Sequence, residues 1–311
     1  MWMKRSSPLF LCMLLLLVGC NPLPKPVEPP IVVPSEHLSP LTGKEPYPTS
    51  PLLWVVDNHP QARPQDGIAA ADIIYEVPVE GGMTRFLLLT NGTSSSIIGP
   101  IRSARGFFTL IAAEYDAIIM HHGESLSFSG AVEAMGGTHV DLTSINSQPI
   151  WRDGGRVAPH NLYSNIAQAR DYVGQSVNDD YAGRRWVFTT RHPGTVTQIN
   201  LRYPGGYSVE YRYINSGLYE RTTEGTKEEY VVENILIQQT TVRDGAEVSV
   251  ELLASGPAYF FTKGQAHSGI WVKDSPSGAT KFLDSKGEEW QLTSGKTIIH
   301  VVPILTTVQY R

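Results

Sequence analysis

The chain has 311 residues, 41% of them hydrophobic, with 25 Lys and Arg against 30 Asp and Glu for a formal charge of −5. That length can supply one large or two medium cores, and without a basic excess nucleic acid is not expected as a partner. Both cysteines, Cys12 and Cys20, fall in the first twenty residues, so nothing later offers a thiol for a disulfide, a thiolate metal site or a cysteine nucleophile.

Lys4 and Arg5 precede an apolar run from Leu9 to Val18. The run is shorter than the roughly 20 residues a membrane-spanning helix needs and has the proportions of a secretory signal. It ends in Leu17-Val18-Gly19-Cys20, which resembles the lipobox of bacterial lipoprotein precursors. The expectation is a signal peptide over 1–19, cleavage before Cys20, lipidation of that thiol, and attachment to the membrane by the lipid at the extracytoplasmic face. Residues 20–51 carry prolines at 22, 24, 26, 29, 30, 34, 40, 46, 48 and 51, which favours extended backbone and predicts a spacer.

From Leu52 the texture is that of a folded domain. Leu52 to Val56, Ile73 to Val77, Arg85 to Leu89 and Ala117 to Met120 read as buried strands, with Gly81-Gly82 turning between the second and third. Phe107 to Tyr115, Ser129 to Met135 and Asn165 to Tyr172 read as helices. Strands mixed with helices predict an α/β (or α+β) domain over 52–183. Beyond Gly183, short β-branched and aromatic runs separated by Gly, Asp and Ser turns predict a mostly-β module over 184–311, a sandwich or barrel.

Polar residues with chemical potential crowd the first domain, at strand ends and in the loops after them, where α/β domains place ligands. Asp57-Asn58-His59 closes one apolar run, with Arg63 behind it; Glu76 closes another, and Glu80 to Arg85 enters the next. Asp57, Asp72, Glu76 and Glu80 are the carboxylates available for catalysis. Arg102-Ser103-Ala104-Arg105, with Arg85, offers forked donors suited to phosphate or carboxylate. His121, Ser125, His160 and Asn161 complete the ligand-binding candidates. His121, His122, Glu124, His139 and His160 are metal-ligand types, but their spacing matches no metal motif, and no metal site or other cofactor is expected. No Gly-x-Ser-x-Gly elbow, dinucleotide fingerprint or P-loop is present. Trp271 and Lys273 are the contacts the second domain could add, although a strand aromatic is more often core.

The segments "VVDNHPQARPQDGIAAADIIYEVPVEGGMTRFLLL", "IGPIRSARGFF" and "APHNLY" resemble those of the YerB-like lipoproteins. The resemblance implies a lipid-anchored envelope protein with an N-terminal domain of unknown function and a smaller β-rich C-terminal one. A sparser pattern, Asp72-Ile73-Ile74, then Ile101 to Arg105, then Val132 to Gly137, is similar in order to the LytR-CpsA-Psr ligases of wall polymers. That similarity implies arginines on a pyrophosphate, a divalent cation, and Asp72 or Asp57 assisting; the Pro-Arg-Asp core of that family is replaced here by Arg-Ser-Ala-Arg, and only Arg170 could stand in for its downstream cluster.

The expected function is recognition of an anionic or glycan component of the cell envelope. The alternative is an envelope enzyme. It is either a transferase acting on polyprenyl-pyrophosphate-linked glycopolymer, with a divalent cation, or a glycan-cleaving enzyme with Glu76 or Glu80 as acid.

Overall fold

The structure, a computed structural model, describes residues 31–32, 38–44, 50–90, 94, 96–145, 149–174, 181–214 and 216–311. The segment expected to be a signal peptide, 1–19, and the expected lipidation site Cys20 lie outside the described residues.

The N-terminal part comprises β1 (Leu52–Asp57), β2 (Ile73–Pro78), β3 (Thr84–Thr90), α1 (Phe108–Glu114), β4 (Ile118–His121), α2 (Leu126–Met135), β5 (His139–Asp141) and α3 (Ile166–Val173). Then come β6 (Gln198–Arg202), β7 (Ser208–Ile214), β8 (Leu218–Thr223), β9 (Thr226–Val232), β10 (Asn234–Thr240), β11 (Ser255–Thr262), β12 (Gln265–Val272), β13 (Lys281–Leu283), β14 (Thr297–Pro303) and β15 (Thr307–Tyr310). The N-terminal region is thus mixed and the C-terminal one mostly strands.

The two regions nonetheless share one hydrogen-bonded sheet. Its ten strands run in the order β13-β12-β11-β10-β14-β2-β3-β1-β4-β5. The seam is β14 against β2, parallel, from Thr297 opposite Ile73 to His300 opposite Glu76. The expected self-contained sandwich or barrel after residue 184 therefore does not form. Most of its strands divide between this sheet and a second, five-stranded one, β9-β8-β7-β6-β15.

The continuous apolar runs have a simple cause: the central sheet is covered on both faces. Side chains alternate along β1, so Leu53 and Val55 enter a core with Phe108, Ile111 and Tyr115 of the α1 region and with Trp271, Phe282 and Trp290. Leu52, Trp54 and Val56 enter the opposite core, filled by Ile199, Leu201, Tyr211 and Val232 of the five-stranded sheet and by Ile166 and Ala169 of α3. Trp271 is wholly buried, and Lys273 is ion-paired with Glu114 at 3.1 Å, so neither is presented to a ligand.

The folded part also begins before Leu52. Ser39, Pro40, Leu41 and Thr42 are buried, with Leu41 in the first core. Trp186 N–H donates to the Pro40 carbonyl (2.9 Å) and Gly295 N–H to that of Thr42 (2.7 Å). A proline-rich composition had hidden this clip, because two backbone bonds and one leucine suffice to seat it. No helix among the described residues is long and apolar enough to cross a membrane.

Candidate functional site

β1, β4 and β5 run parallel, and their C-terminal ends deliver Asp57, His121 and Asp141 to one edge of the sheet. β1 and β4 pair only from Leu52 with Ile118 to Trp54 with Met120. Past Trp54 they part, and residues 100–104 fill the gap. Asp57 N–H donates to Pro100 O (2.8 Å) and Arg102 N–H to Val55 O (2.9 Å) on one side. On the other, Ala104 N–H donates to Gly123 O (3.0 Å) and His122 N–H to Arg102 O (3.0 Å). Gly99 opens this insertion at φ +148°, where a Cβ would stand 2.8 Å from the Leu162 carbonyl oxygen, so only glycine fits. Backbone bonded on both sides thus fixes Arg102, Ser103 and Arg105 at the strand ends.

Three arginines converge there. Arg105 grips Glu80 through two bonds of 2.7 Å and donates to Ser103 Oγ (3.0 Å). Arg102 Nε lies 3.3 Å from Asp57 Oδ2. Arg85, on β3 directly opposite Asp57 of β1, is buried and donates to the Ser103 carbonyl. Among the described residues Arg85 has no carboxylate in ion-pair range. Burial first, then the Arg105 and Arg102 charges, bring its pKa down to about 9, so it is still a cation at neutral pH.

Asp57 also organises two imidazoles. Its Oδ2 accepts from His160 Nδ1 (2.6 Å) and its Oδ1 from His59 N–H (3.0 Å), and the His59 ring stacks on His160 with centroids 4.5 Å apart. A carboxylate only accepts, so His160 donates through Nδ1, and in the neutral ring Nε2 is the acceptor. Asn161 holds the adjoining loop, accepting from Arg152 (2.8 Å) and donating to the carbonyls of Asp153 and Arg156. Arg152 in turn lies 3.1 Å from His122 Nε2, and burial and the Arg152 charge lower the pKa of His122.

Other candidates have different duties. Glu76 is wholly buried and saturated by Arg221 (2.8 Å), His300 (3.2 Å), Tyr207 (2.6 Å) and Thr84 (2.8 Å). Its pKa is depressed: burial raises it, but Arg221, His300 and Tyr207 outweigh that. Asn58 belongs to the same network, donating to Glu76, Thr84 and Tyr207 and accepting from Arg63 (3.0 Å) and Gln65 (2.8 Å). Arg63 pairs outward with Glu224 at 2.6 Å. Burial acts against the charge on Glu80, yet Arg105 and two backbone N–H donors, its own and that of Val248, bring its pKa to about 2. Glu76 and Glu80 are therefore fixed as anions, the reverse of what a glycan-cleaving acid requires.

Asp72 is at the far end of the sheet. β1 and β2 both oppose β3 and so point the same way, yet Asp72 precedes β2 while Asp57 ends β1. One six-residue strand separates such ends, roughly 17 Å. Arg170 lies at that far end too, bonded to the Ser50 and Thr90 carbonyls, with Asp72 acting on its charge. The Asp72-with-arginines arrangement expected for a transferase is not assembled. Ser125 begins α2, but the Leu126 and Ser127 N–H groups there already hold the Glu247 carboxylate, at 2.9 and 3.3 Å.

His121 Nε2 lies 2.9 Å from His139 Nδ1 and 3.9 Å from Glu124 Oε2, a group of metal-ligating type that the linear spacing concealed. A groove of 730 Å³ between residues 60–69 and the β8–β9 hairpin is rimmed by Asp66, Glu224, Glu228 and Glu229, and had no signal in the sequence. Tyr207, Arg221 and His300 were likewise unforeseen, since each meets Glu76 across more than a hundred residues.

Comparison with known proteins agrees with this architecture. Residues 39–180 match the N-terminal domain of the protein family of unknown function DUF3048, and residues 199–299 match its C-terminal domain. The chain is 26% identical over 275 residues to a protein of Bacillus subtilis (strain 168) named "Putative lipoprotein YerB", covering 82% of each chain. The crystal structure of YerB from Bacillus subtilis superposes with a TM-score of 0.77 at 24% identity, over 88% of this chain and 99% of that one, which shows a shared fold. With both domains matched in order and the mixed and β-rich regions where they belong, the chain is a member of the DUF3048 family.

Proposed function

We propose that this protein is a lipoprotein, anchored through Cys20 at the outer face of the cytoplasmic membrane, that binds a phosphate or carboxylate group of a cell-envelope component with Arg85, Arg102, Arg105 and Ser103. Arg85 carries the reading. A buried guanidinium without a carboxylate partner is costly, and here two further arginines add repulsion. An incoming anion would relieve both terms and accept forked hydrogen bonds. The lipobox-like Leu17 to Cys20 and the similarity to a protein named as a lipoprotein support the anchor. The Asp57–His160 pair favours a second reading, in which His160 Nε2 serves as a base beside the bound anion in an envelope transferase.

The test is binding of the lipoprotein in mild detergent to polyprenyl phosphates, muropeptides and teichoic-acid fragments, with and without magnesium. Arg85→Met and Arg102→Ala should each weaken the recognised ligand about 10- to 100-fold, since a charge-assisted bond contributes about 1.5–3 kcal/mol. Equal affinity in both variants, or no binding to any anion, would refute the cradle. Turnover of a pyrophosphate lipid that His160→Gln abolishes would establish the second reading.

A further inference from the structure

The geometry points to a zinc-class divalent cation site formed by His121, His139 and Glu124, independent of the arginine cradle. The ligand atoms of the three side chains all lie within 4.8 Å of one another. His121 Nδ1 is 2.9 Å from the Gly123 carbonyl oxygen, which can only accept, so Nδ1 carries the ring proton and Nε2 presents a lone pair. That lone pair faces His139 Nδ1 at 2.9 Å and a carboxylate oxygen of Glu124 at 3.9 Å. Without a cation, His139 Nδ1–H satisfies it, but the Glu124 oxygen then faces a nitrogen that has no hydrogen. A cation at the centroid serves all three atoms at once.

The outer contacts are those of a ligating set. The non-ligating nitrogen of His121 is tied to backbone, and the other Glu124 oxygen accepts from Ser129 Oγ at 2.5 Å, which leaves Oε2 aimed at the imidazoles. Phe128 walls the pair, with ring centroids 4.8 Å from His121 and 5.3 Å from His139. Tetrahedral zinc at about 2.05 Å would set its ligand atoms about 3.3 Å apart. The two nitrogens need to open by about 0.4 Å, and the Glu124 oxygen to close by about 0.6 Å on His121 and by up to about 1.5 Å on His139, a movement that the torsions of the exposed Glu124 side chain supply. Two imidazoles and one carboxylate suit zinc over calcium or magnesium, which prefer oxygen. Three protein ligands leave a fourth position for water or a ligand atom.

Zinc affinity of the full lipoprotein, purified in detergent without a histidine tag, tests the site by calorimetry, with cobalt substitution read by its visible absorption. One equivalent of zinc and tetrahedral-type cobalt bands are expected. His139→Ala and Glu124→Gln should lose both, and Ser129→Ala should weaken zinc about tenfold. Glu124 is exposed, so its variant folds even if the His139 one does not. No zinc bound at micromolar concentration, or zinc and cobalt retained by Glu124→Gln and His139→Ala alike, would overturn the assignment.

Discussion

Glu76 and Arg221 are both wholly buried, 2.8 Å apart, and tied to opposite parts of the chain, one in β2 and the other in β8. Removing only the cation would strand a carboxylate in the interior with His300, Tyr207, Thr84 and Asn58 as its remaining partners. Breaking a buried pair on one side costs about 3–5 kcal/mol, much of it desolvation of the survivor. Arg221→Met should therefore lower unfolding free energy in urea by that amount, and Glu76→Gln added to it should recover part of the loss. An unchanged midpoint in the single variant would mean that the neutral donors alone support the charge. Arg102 and Arg105 could be singled out in the sequence because two forked donors stand close together in an apolar stretch. Nothing local marks Arg221 or His300. Their roles arise from a carboxylate 145 residues away in one case, and from the parallel seam in the other.

At the scale of elements, whatever is buried on both faces was legible, and whatever lies at an edge was not. Leu52 to Val56 and Ile73 to Val77 announce themselves because both faces are buried and apolar, save for Glu76, whose charge is matched by Arg221. β5, three residues long and partly exposed, carries no such pattern. Nor does the insertion at residues 100–104, which is held by backbone bonds that any sequence could make. What its backbone path demands of the sequence is Gly99 at its entrance. Gly99→Ala would need a φ of +148° and would drive a Cβ to 2.8 Å from Leu162 O and from the Tyr163 ring. The expected cost is about 1–3 kcal/mol in stability, as for other forced backbone conformations. Because Arg102 and Ser103 ride on the same segment, the variant should also weaken the anion binding proposed for the cradle. Full stability with unaltered binding in Gly99→Ala would show that the insertion can re-route.

The whole molecule behaves as two sequence domains but one sheet. Residues 1–183 hold β1 to β5, and their outer strand β2 is completed only by β14, more than two hundred residues later. Without the C-terminal half, the edge from Ile73 to Glu76 is open, and an open apolar edge invites pairing between molecules. The face of β1, β2 and β3 that includes Leu53, Val55 and Leu87 would also lose Trp271, Phe282, Trp290 and Leu292 from its core. At about 1.5–3 kcal/mol for each large apolar side chain, those four alone contribute about 6–12 kcal/mol, similar to the entire stability of an ordinary domain. Glu76 would meanwhile lose Arg221, His300 and Tyr207 together. The N-terminal half, residues 21–183, should therefore show no cooperative unfolding transition and should self-associate, whereas co-expression with residues 184–311 should restore both solubility and a single transition. A cooperative transition in the isolated half would mean that β2 can end the sheet, and would locate the stability of the family's first domain in α1 to α3 and β1 to β5 alone.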